Sequence, residues 1–533
     1  MRFLPVGDEH IIVELNDLNE TILLHASLKT VPPYGIGEVV PAAQTLLIQF
    51  YPALTNQAQL IADISKRDIS GQSEQEGEIV EIPVHYNGED LAEVAEILGI
   101  SIEDVIRRHI ESEYNVAFTG FAPGFAYLVN GDPIFNVPRR KSPRTRIPAG
   151  SVGLAGKFSG IYPQASPGGW QLIGVTDIPM FDLARTPPTL LQPGMRVHFK
   201  DAAKNKTTIA VKQKPVPYTP KGLALFKVKT APMSVYFQDA GRFNVASQGV
   251  SCAGALDKNS LFEANAIVGN IPNSTVLEIN LGGFSFEVLE PSVIALTGAS
   301  APITIETKQG KSFQASHATA LALDKGDIVK LGYAQKGARS YLAVRGGFDA
   351  EMVLGSSSRD TLANIGPDML KVDDILYLSQ QKPASSVIPE THPIKDLPAP
   401  QETITLDVIM GPRTDWFTTE TVNLFTNQLW SVSAQSNRVG ARLEGEKPLM
   451  RLNNDELPSE GTVPGAIQVP ANGQPILFLN DRPLTGGYPV IAVIANHHLD
   501  LAGQIPVGAK IQFRPIQPFN ELTPCTNAHQ EGN

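Results

Sequence analysis

Five basic residues, Arg139, Arg140, Lys141, Arg144 and Arg146, crowd into eight positions of the proline-bounded run PRRKSPRTRIP (138–148). Guanidinium forks match carboxylate and phosphate oxygens, so this spacing points to binding of an anion. The wider stretch 119–170 holds nine Gly, seven Pro and six Lys or Arg against one acid, Asp132. The whole chain carries a formal charge of -11, so the local basic excess runs against its background. Glycine admits positive φ and close approach of a ligand, while proline fixes φ and removes a donor. Together they predict a stiff set of turns framing a preformed pocket for a small anionic molecule. A solvated basic loop over the corners of a β-structure has the same composition, and the run alone leaves both readings open.

Other polar groups stand on glycine-rich turns. QDAGR (238–242) sets Asp239 and Arg242 after a strand-like run, and GVSCAGALD (249–257) leads to Asp257. SEGTVPGAIQVP (459–470) and NDRPLTGGYP (480–489) carry Gln468, Asp481, Thr485 and Tyr488 as polar handles. Taken singly, these residues are accounted for by turn geometry and capping carboxylates. Taken together, they have the form of ligand-bearing loops on a rigid β scaffold. Standard reaction signatures do not match. In GSVGLAGKF (150–158) five residues separate Gly150 from Gly156, one more than a P-loop allows, and Phe158 stands where a magnesium-binding Ser or Thr belongs. Gly249-Val250-Ser251 begins a nucleophile elbow whose second glycine, Gly254, comes one place late. His497 and His498 are adjacent and should point in different directions, which argues against a shared metal ion.

The elements that must position these groups read as mainly β, with an α/β unit at the start. A chain of 533 residues has room for roughly three or four domains. Its 42% hydrophobic and 18% charged residues suit a globular protein with sizeable cores. The pI near 5.5 and the lack of a long basic face argue against a nucleic-acid partner. Two cysteines, Cys252 and Cys525, can build neither a disulfide framework nor a cysteine-ligated structural zinc, which fits a reducing, cytoplasmic compartment. The start MRFLPVGDEHIIVEL lacks a signal-peptide pattern, and no apolar run nears membrane-spanning length, so no membrane association is expected.

Strand-like runs IIVEL (11–15), TLLIQFY (45–51) and EIVEIPVHY (78–86), with a helix over 54–67, predict a small α/β domain over 1–88. Helices follow at 90–99 and 101–112, the second opening on Ser101 and Asp104 at near capping-box spacing. Short strands between Gly/Pro turns extend this second domain over 89–212. A proline-rich linker (213–222) leads to a first β-barrel domain over 223–381, whose single helix is N-capped by Asp257 and stops at Gly269. A second linker (382–401) leads to another β-barrel domain over 402–520, with a helix at 415–427 and LWSVSAQSNRVGARL (429–443) as a strand. The tail 523–533 should fray.

GFAPGFAYL, PRRKSPRTRIPAGSVGLAG and GIYPQASPGGWQLIG resemble the allophanate hydrolase subunit 1 family, which includes the B subunit of bacterial 5-oxoprolinase and a sporulation-kinase inhibitor. QDAGR, GVSCAGALD, LEINLGG, SNRVGARLEG, SEGTVPGAIQVP and TGGYP resemble the subunit 2 family, which includes the C subunit of 5-oxoprolinase and the antagonist of that inhibitor. The first resemblance covers about residues 3–208 and the second about 225–515, so the chain reads as a head-to-tail fusion. Both families are similar to the carboxyltransferase half of urea carboxylase. The resemblance implies several cyclophilin-like β-barrel domains and ATP-dependent opening of 5-oxo-L-proline to L-glutamate. This chain would phosphorylate the lactam and the separate A subunit of 5-oxoprolinase would complete the hydrolysis, with magnesium accompanying ATP through ligands the sequence does not identify.

On that reading Arg144, Arg146, Asp239 and Asp257 are the catalytic candidates. The substrate would meet Phe121, Phe125, Arg139, Arg140, Gly150, Ser151, Tyr162, Gly168, Gly169, Trp170, Gln468, Thr485 and Tyr488. The arginines would act as clamps, glycine N–H groups as donors, and Tyr162 and Trp170 as walls. The two halves are expected to pack together with the site between them, and self-association is left open. Departures from the family pattern bear on the substrate. S-D-R-M-G-Y-R-L reads SNRVGARL, with Asn437, Val439 and Ala441, and D-R-Q-T-T-G-G-Y-P has Pro483 and Leu484 at its third and fourth places. Two other functions compete. One is a biotin-dependent carboxyltransferase of urea-carboxylase type, whose biotin must arrive on a partner because no lysine stands in an A-M-K-M motif. The other is a non-catalytic regulator that binds a histidine kinase.

Overall fold

Alternation along the first strands sets the layering of the molecule. The computed structural model describes residues 1–70, 77–140, 142, 144–204, 218–379, 381–388, 396–453 and 457–523. Arg2–Val6, His10–Glu14, Thr45–Phe50 and Ile36–Pro41 form, in that order, an antiparallel four-stranded sheet. Phe3, Ile11, Val13, Leu46 and Ile48 turn to one face and pack on the helices Leu18–Thr30 and Gln57–Ile64. Leu4, Val6, Ile12 and Leu47 turn to the other and pack on Phe478, Leu484, Val490 and Val493 of the distant C-terminal region. Coverage of both faces explains why TLLIQFY is apolar almost throughout and does not alternate. The helix Leu18–Thr30 was not legible in the apolar spacing. Its signal is the cap, Asp17, whose side chain accepts from Glu20 N at 2.9 Å.

The strand Ile79–Val84, expected in the N-terminal unit, belongs to the next sheet. It pairs in parallel with Arg196–Asp201, because Ile82 and Val84 are buried there beside Val197 and Phe199. That sheet has seven strands in the order Gln171–Val175, Ser151–Ala155, Phe158–Ile161, Ala126–Val129, Glu113–Thr119, Arg196–Asp201 and Ile79–Val84. Helices Leu91–Leu98 and Ile102–Glu111 cover it. Ser101 caps the second of these, accepting from Asp104 N at 3.0 Å.

The second half begins with two sheets whose apolar faces share a core containing Phe226, Phe286, Leu296 and Leu342. The helix Lys258–Ile267 packs on the outer face of strands Ser292–Ser300 and Lys336–Val344. Then Thr403–Met410, Val490–Ile494, Ala466–Gln468, Ile476–Phe478, Gly440–Glu444, Trp430–Val432 and Lys510–Gln517 close into a barrel around Trp430, Phe425 and Phe513. Among the described residues this is the one closed barrel, where the sequence led us to expect several; the preceding unit stays open as two facing sheets. The expected strand 429–443 splits into Trp430–Val432 and Gly440–Glu444. Asn437 Oδ1 accepts from Val439 N at 2.9 Å and Ser436 Oγ from Arg442 N at 3.0 Å, which closes a turn. Residues 213–217 and 389–395 of the expected linkers, the tail 524–533 and Lys141 lie outside the described residues. Among the described residues no helix is long and apolar enough to cross a membrane.

Candidate functional site

Asp90 decides the fate of the arginine run. It precedes the helix Leu91–Leu98, is 3% exposed, and accepts Leu172 N at 2.7 Å through one oxygen. Its other oxygen accepts from Arg140 Nη1 and Arg144 Nη2, both at 2.7 Å. The hydrogen bond to Asp90 raises the Arg144 pKa further above neutrality. Arg140 and Arg144 of the expected clamp are therefore paired within the chain, because a buried carboxylate demands charged partners. In the sequence Asp90 reads only as the start of a helix. Arg139 and Arg146 are exposed. None of these four arginines lines the two cavities described below.

The aromatic walls are packing. Phe125, Tyr162 and Trp170 are buried and meet edge to face, with centroids 5.2 Å apart for Phe125–Tyr162 and 5.3 Å for Phe125–Trp170. Phe121 adds to the cluster 5.4 Å from Phe125. Burial raises the Tyr162 pKa well above its ordinary value. Gly150 N donates to Tyr162 O at 2.7 Å, and buried Ser151 accepts Tyr162 N at 2.9 Å through its own carbonyl. Gly168 pairs with Arg144 across a two-stranded ribbon, and Gly169 O accepts Arg140 N at 2.8 Å. These glycines close turns and hold the arginine run in place.

Asp239 and Asp257 are saturated. Asp239 accepts from Gly241 N, Ser356 Oγ, Ser357 N and Ser358 Oγ at 2.6–2.9 Å. Asp257 caps the helix Lys258–Ile267 as the sequence implied, accepting Ser260 N at 2.8 Å, Ser260 Oγ at 2.6 Å and Gln504 Nε2 at 2.8 Å. Magnesium demands a near-octahedral set of oxygens, and neither carboxylate offers one free for it. His497 and His498, expected to diverge, both approach Asp407, at 2.9 and 3.8 Å, because they lie in the tight turn Asn496–His498. Among the described residues this is the single cluster with metal-ligand spacing. It does not fit magnesium: Arg514 Nε donates to Asp407 at 2.6 Å, and His498 Nδ1 already accepts Asp407 N at 2.9 Å. Arg514, then His497, hold the Asp407 carboxyl below the usual carboxylate range.

The remaining motif residues converge where the halves meet. Phe121 N donates to Thr485 Oγ1 at 3.2 Å, and Gly124 N to Gln248 O at 3.2 Å. Gly249 sits at φ +73, and a Cβ there would lie 2.7 Å from Ala122 O, so this contact requires glycine. Gln468 Nε2 donates to Tyr488 O at 3.1 Å, and the Tyr488 ring is exposed. Behind these turns lies a buried ionic network. Arg438 donates to both oxygens of Asp481 at 3.0 Å, to Gly254 O at 2.7 Å, and to Glu278. Burial alone would raise the Glu278 pKa; Arg438 and Arg339 outweigh it and lower it. Asp481 also accepts Thr361 N and Oγ1, while the neighbouring Asp360 accepts Ser251 Oγ at 2.7 Å.

Two cavities flank this network. A cleft of about 520 Å³ lies between the two-sheet unit and the barrel, lined by Glu278 and Asn280 of LEINLGG and by Ser436, Asn437, Arg438, Val439 and Ala441 of SNRVGARL. Asn437, Val439 and Ala441, where this sequence departs from the family pattern, all stand on its wall. A smaller cavity of about 190 Å³ lies at the seam of the halves, lined by His10, Glu38, Cys252, Lys258, Thr462 and Arg482 among others. Sequence reasoning passed over Glu278, Arg438, Arg482 and His10. The first three stand inside quoted motifs, so a search for charge within those motifs would have found them.

The carboxyltransferase domain, subdomain C and D, matches residues 1–191, and the carboxyltransferase domain, subdomain A and B, matches residues 248–515. The chain belongs to the carboxyltransferase-domain family that includes the B and C subunits of 5-oxoprolinase. It is 37% identical to the 5-oxoprolinase C subunit of Escherichia coli (strain K12) over 292 residues, 54% of this chain and 90% of that protein. It is 40% identical to the 5-oxoprolinase B subunit of Bacillus subtilis (strain 168) over 216 residues, 36% of this chain and 90% of that protein. The crystal structure of TTHA0988 superposes with a TM-score of 0.81 at 31% identity, covering 95% of this chain and 99% of that one. In this carboxyltransferase-domain chain the cleft is lined by residues of the A and B subdomain match together with Ser234 and Tyr236 just before it, whereas the seam cavity draws residues from both matches.

Proposed function

We propose that the chain is the fused B and C component of an ATP-dependent 5-oxoprolinase, phosphorylating 5-oxo-L-proline so that a separate A subunit completes its hydrolysis to L-glutamate. The observation that carries this reading is the seam cavity. It is lined by residues from the counterparts of both relatives, each matched over 90% of its length, so the site is complete only when the two are joined. A lactam is a poor electrophile, and phosphorylation of its oxygen turns that oxygen into a leaving group. The step needs an anchor for the substrate carboxylate, alignment, and exclusion of water. Arg482 in the seam cavity meets the first of these needs. In this reading the β units are cyclophilin-like and the protein works in the cytoplasm. The magnesium expected with ATP is assigned no ligands and no step.

The test mixes this chain, ATP and 5-oxo-L-proline, with and without the A subunit, and measures ADP and glutamate. ADP release stimulated by 5-oxo-L-proline, and glutamate once the A subunit is added, are expected. ATP use indifferent to 5-oxo-L-proline would overturn the reading. The carboxyltransferase character of both matched regions favours one alternative, carboxyl transfer from biotin carried by a partner. Transfer from free carboxybiotin without any ATP use would establish it.

A further inference from the structure

A larger cavity stands back to back with the seam cavity. It measures about 640 Å³, inside the range of roughly 300–1,000 Å³ for small-molecule pockets. Its apolar walls come from two separate cores. Leu28, Ile36 and Val39 belong with the core under the first sheet, and Ile22 and Ala117 with the aromatic cluster around Phe125. Ile22, His25, Ala26 and Lys29 follow at i, i+3, i+4 and i+7 along the helix Leu18–Thr30, which sets them in one stripe along the lining. His25 and Lys29 are the basic groups there, and among the described residues the lining holds no carboxylate. Among the described residues neither side chain has a hydrogen-bond or ion-pair partner. Burial, then Lys29, lowers the His25 pKa to about 4, so the charge near neutral pH is that of Lys29. One exposed cation beside apolar walls matches a molecule with one negative group and a hydrocarbon body.

The two cavities share a wall. Alternation along the strand Ile36–Pro41 sends Gly37 and Val39 to the larger cavity, and Glu38 and Val40 to the seam cavity. The turn Ala246–Gln248 divides in the same way, with Ala246 on the seam side and Ser247 on the other. Glu38 Oε1 accepts Ala246 N at 2.9 Å, which ties the strand to the turn. The strand is the edge of its sheet and pairs on one side only, and its register with Thr45–Phe50 shifts between Ile36 and Val39. Such an irregularity re-aims side chains, and here Glu38 stands within it. We propose that the larger cavity is a regulatory site for an amphipathic monoanion, a fatty or aryl carboxylate, which seats against the strand Ile36–Pro41 and reshapes the seam cavity through that shared wall. The site lies apart from the one that carries the functional reading above and does not rest on it.

Binding is measured on the full chain by saturation-transfer NMR with octanoate and phenylacetate, and with octan-1-ol as the uncharged control. Signal is expected from at least one of the two acids, and the pair separates an aliphatic from an aryl ligand. Octan-1-ol should bind about fivefold more weakly than octanoate, the upper range for a partly exposed ion pair. Lys29→Met should weaken the acid that binds by about the same factor. Ala26→Glu, which brings a carboxylate into the lining, should weaken it further. Both positions are exposed on the helix, so both variants keep the fold. Coupling is read at Cys252, half-buried in the seam lining, from its rate of alkylation by iodoacetamide, followed by peptide mass spectrometry. The bound acid should change that rate about fivefold, the lower end of an allosteric coupling, in the wild type and not in Ala26→Glu. No signal from either acid, octan-1-ol binding as tightly as the acids, affinity indifferent to both substitutions, or a Cys252 rate indifferent to the bound acid would each overturn the proposal. Binding and the Cys252 response in a chain without oxoproline-dependent ATP turnover would uphold the site and count against the functional reading alone.

Discussion

Arg144 and Arg146 stand two residues apart on one strand, and their side chains meet opposite surroundings. Arg144 is largely buried against Asp90, and Arg146 is exposed. Arg144→Ala should therefore destabilise the chain by about 1–3 kcal/mol, the penalty for under-satisfying a buried charged group. Arg146→Ala should stay within about 0.5 kcal/mol of the wild type. Thermal melts beside oxoproline-dependent ATP turnover check this, and a variant of Arg144 that melts normally but loses turnover would restore the substrate-clamp role. Asp360 offers a pH test. Burial, then the nearby Asp481, pushes its carboxyl up from 3.8 to about 6 against the opposing effects of Ala363 N, Ser251 and Arg242. The folded value lies above the unfolded one. Its contribution to stability is therefore full below about pH 4 and is lost as pH rises through about 6. The difference amounts to about 3 kcal/mol. Asp360→Asn should flatten that part of the profile, read from urea midpoints at about pH 4 and pH 7.5. An unchanged profile would show that Asp360 titrates normally.

Helices in this chain begin where short-range chemistry says they should. Ser101 and Asp257 each accept from the backbone N–H three residues on, and both caps were legible from residue type and spacing alone. The strand 429–443 was not, because its break serves a contact far away. Arg438 sits in the turn and reaches Glu278 and Asp481, neither of which is its neighbour in sequence. Asp257 links both kinds of information, since it caps its own helix and also accepts from Gln504 of the barrel unit. Asp257→Ala should lower stability by about 1–2 kcal/mol, the usual penalty for a lost N-cap, with turnover per folded molecule retained. Loss of turnover at an unchanged melting temperature would return this carboxylate to the catalytic candidates.

Across the whole molecule, ion pairs and apolar faces join the two halves into one body. Arg413 of the barrel unit bonds to Glu14 of the first sheet at 2.6 Å and also to Glu460. Burial raises the Glu460 pKa, which Arg413 only partly opposes, so the pair depends on both partners. Arg413→Met leaves a buried carboxylate unpaired and should cost about 3–5 kcal/mol. Adding Glu460→Gln should recover much of that loss, as a double-mutant cycle on urea midpoints would reveal. The apolar face of Leu4, Ile12 and Leu47 predicts in addition that separately expressed halves co-purify. Without its partner half, that face would expose a contiguous hydrophobic patch to water.

The fusion of two halves was legible only through motif resemblance; a mainly β scaffold, the helix caps and the glycine turns were legible in residue types and local spacing. Each depends on dihedral preference and on hydrogen bonds between near neighbours. Only the tertiary structure decided which charges are matched inside the chain. PRRKSPRTRIP reads as a clamp in the sequence, yet Arg140 and Arg144 pair with Asp90, and Arg482, which no local pattern singles out, lines the seam cavity. Pairing of buried charge is settled by what lies within a few ångströms after folding, and the partners come from parts of the sequence that share no local pattern.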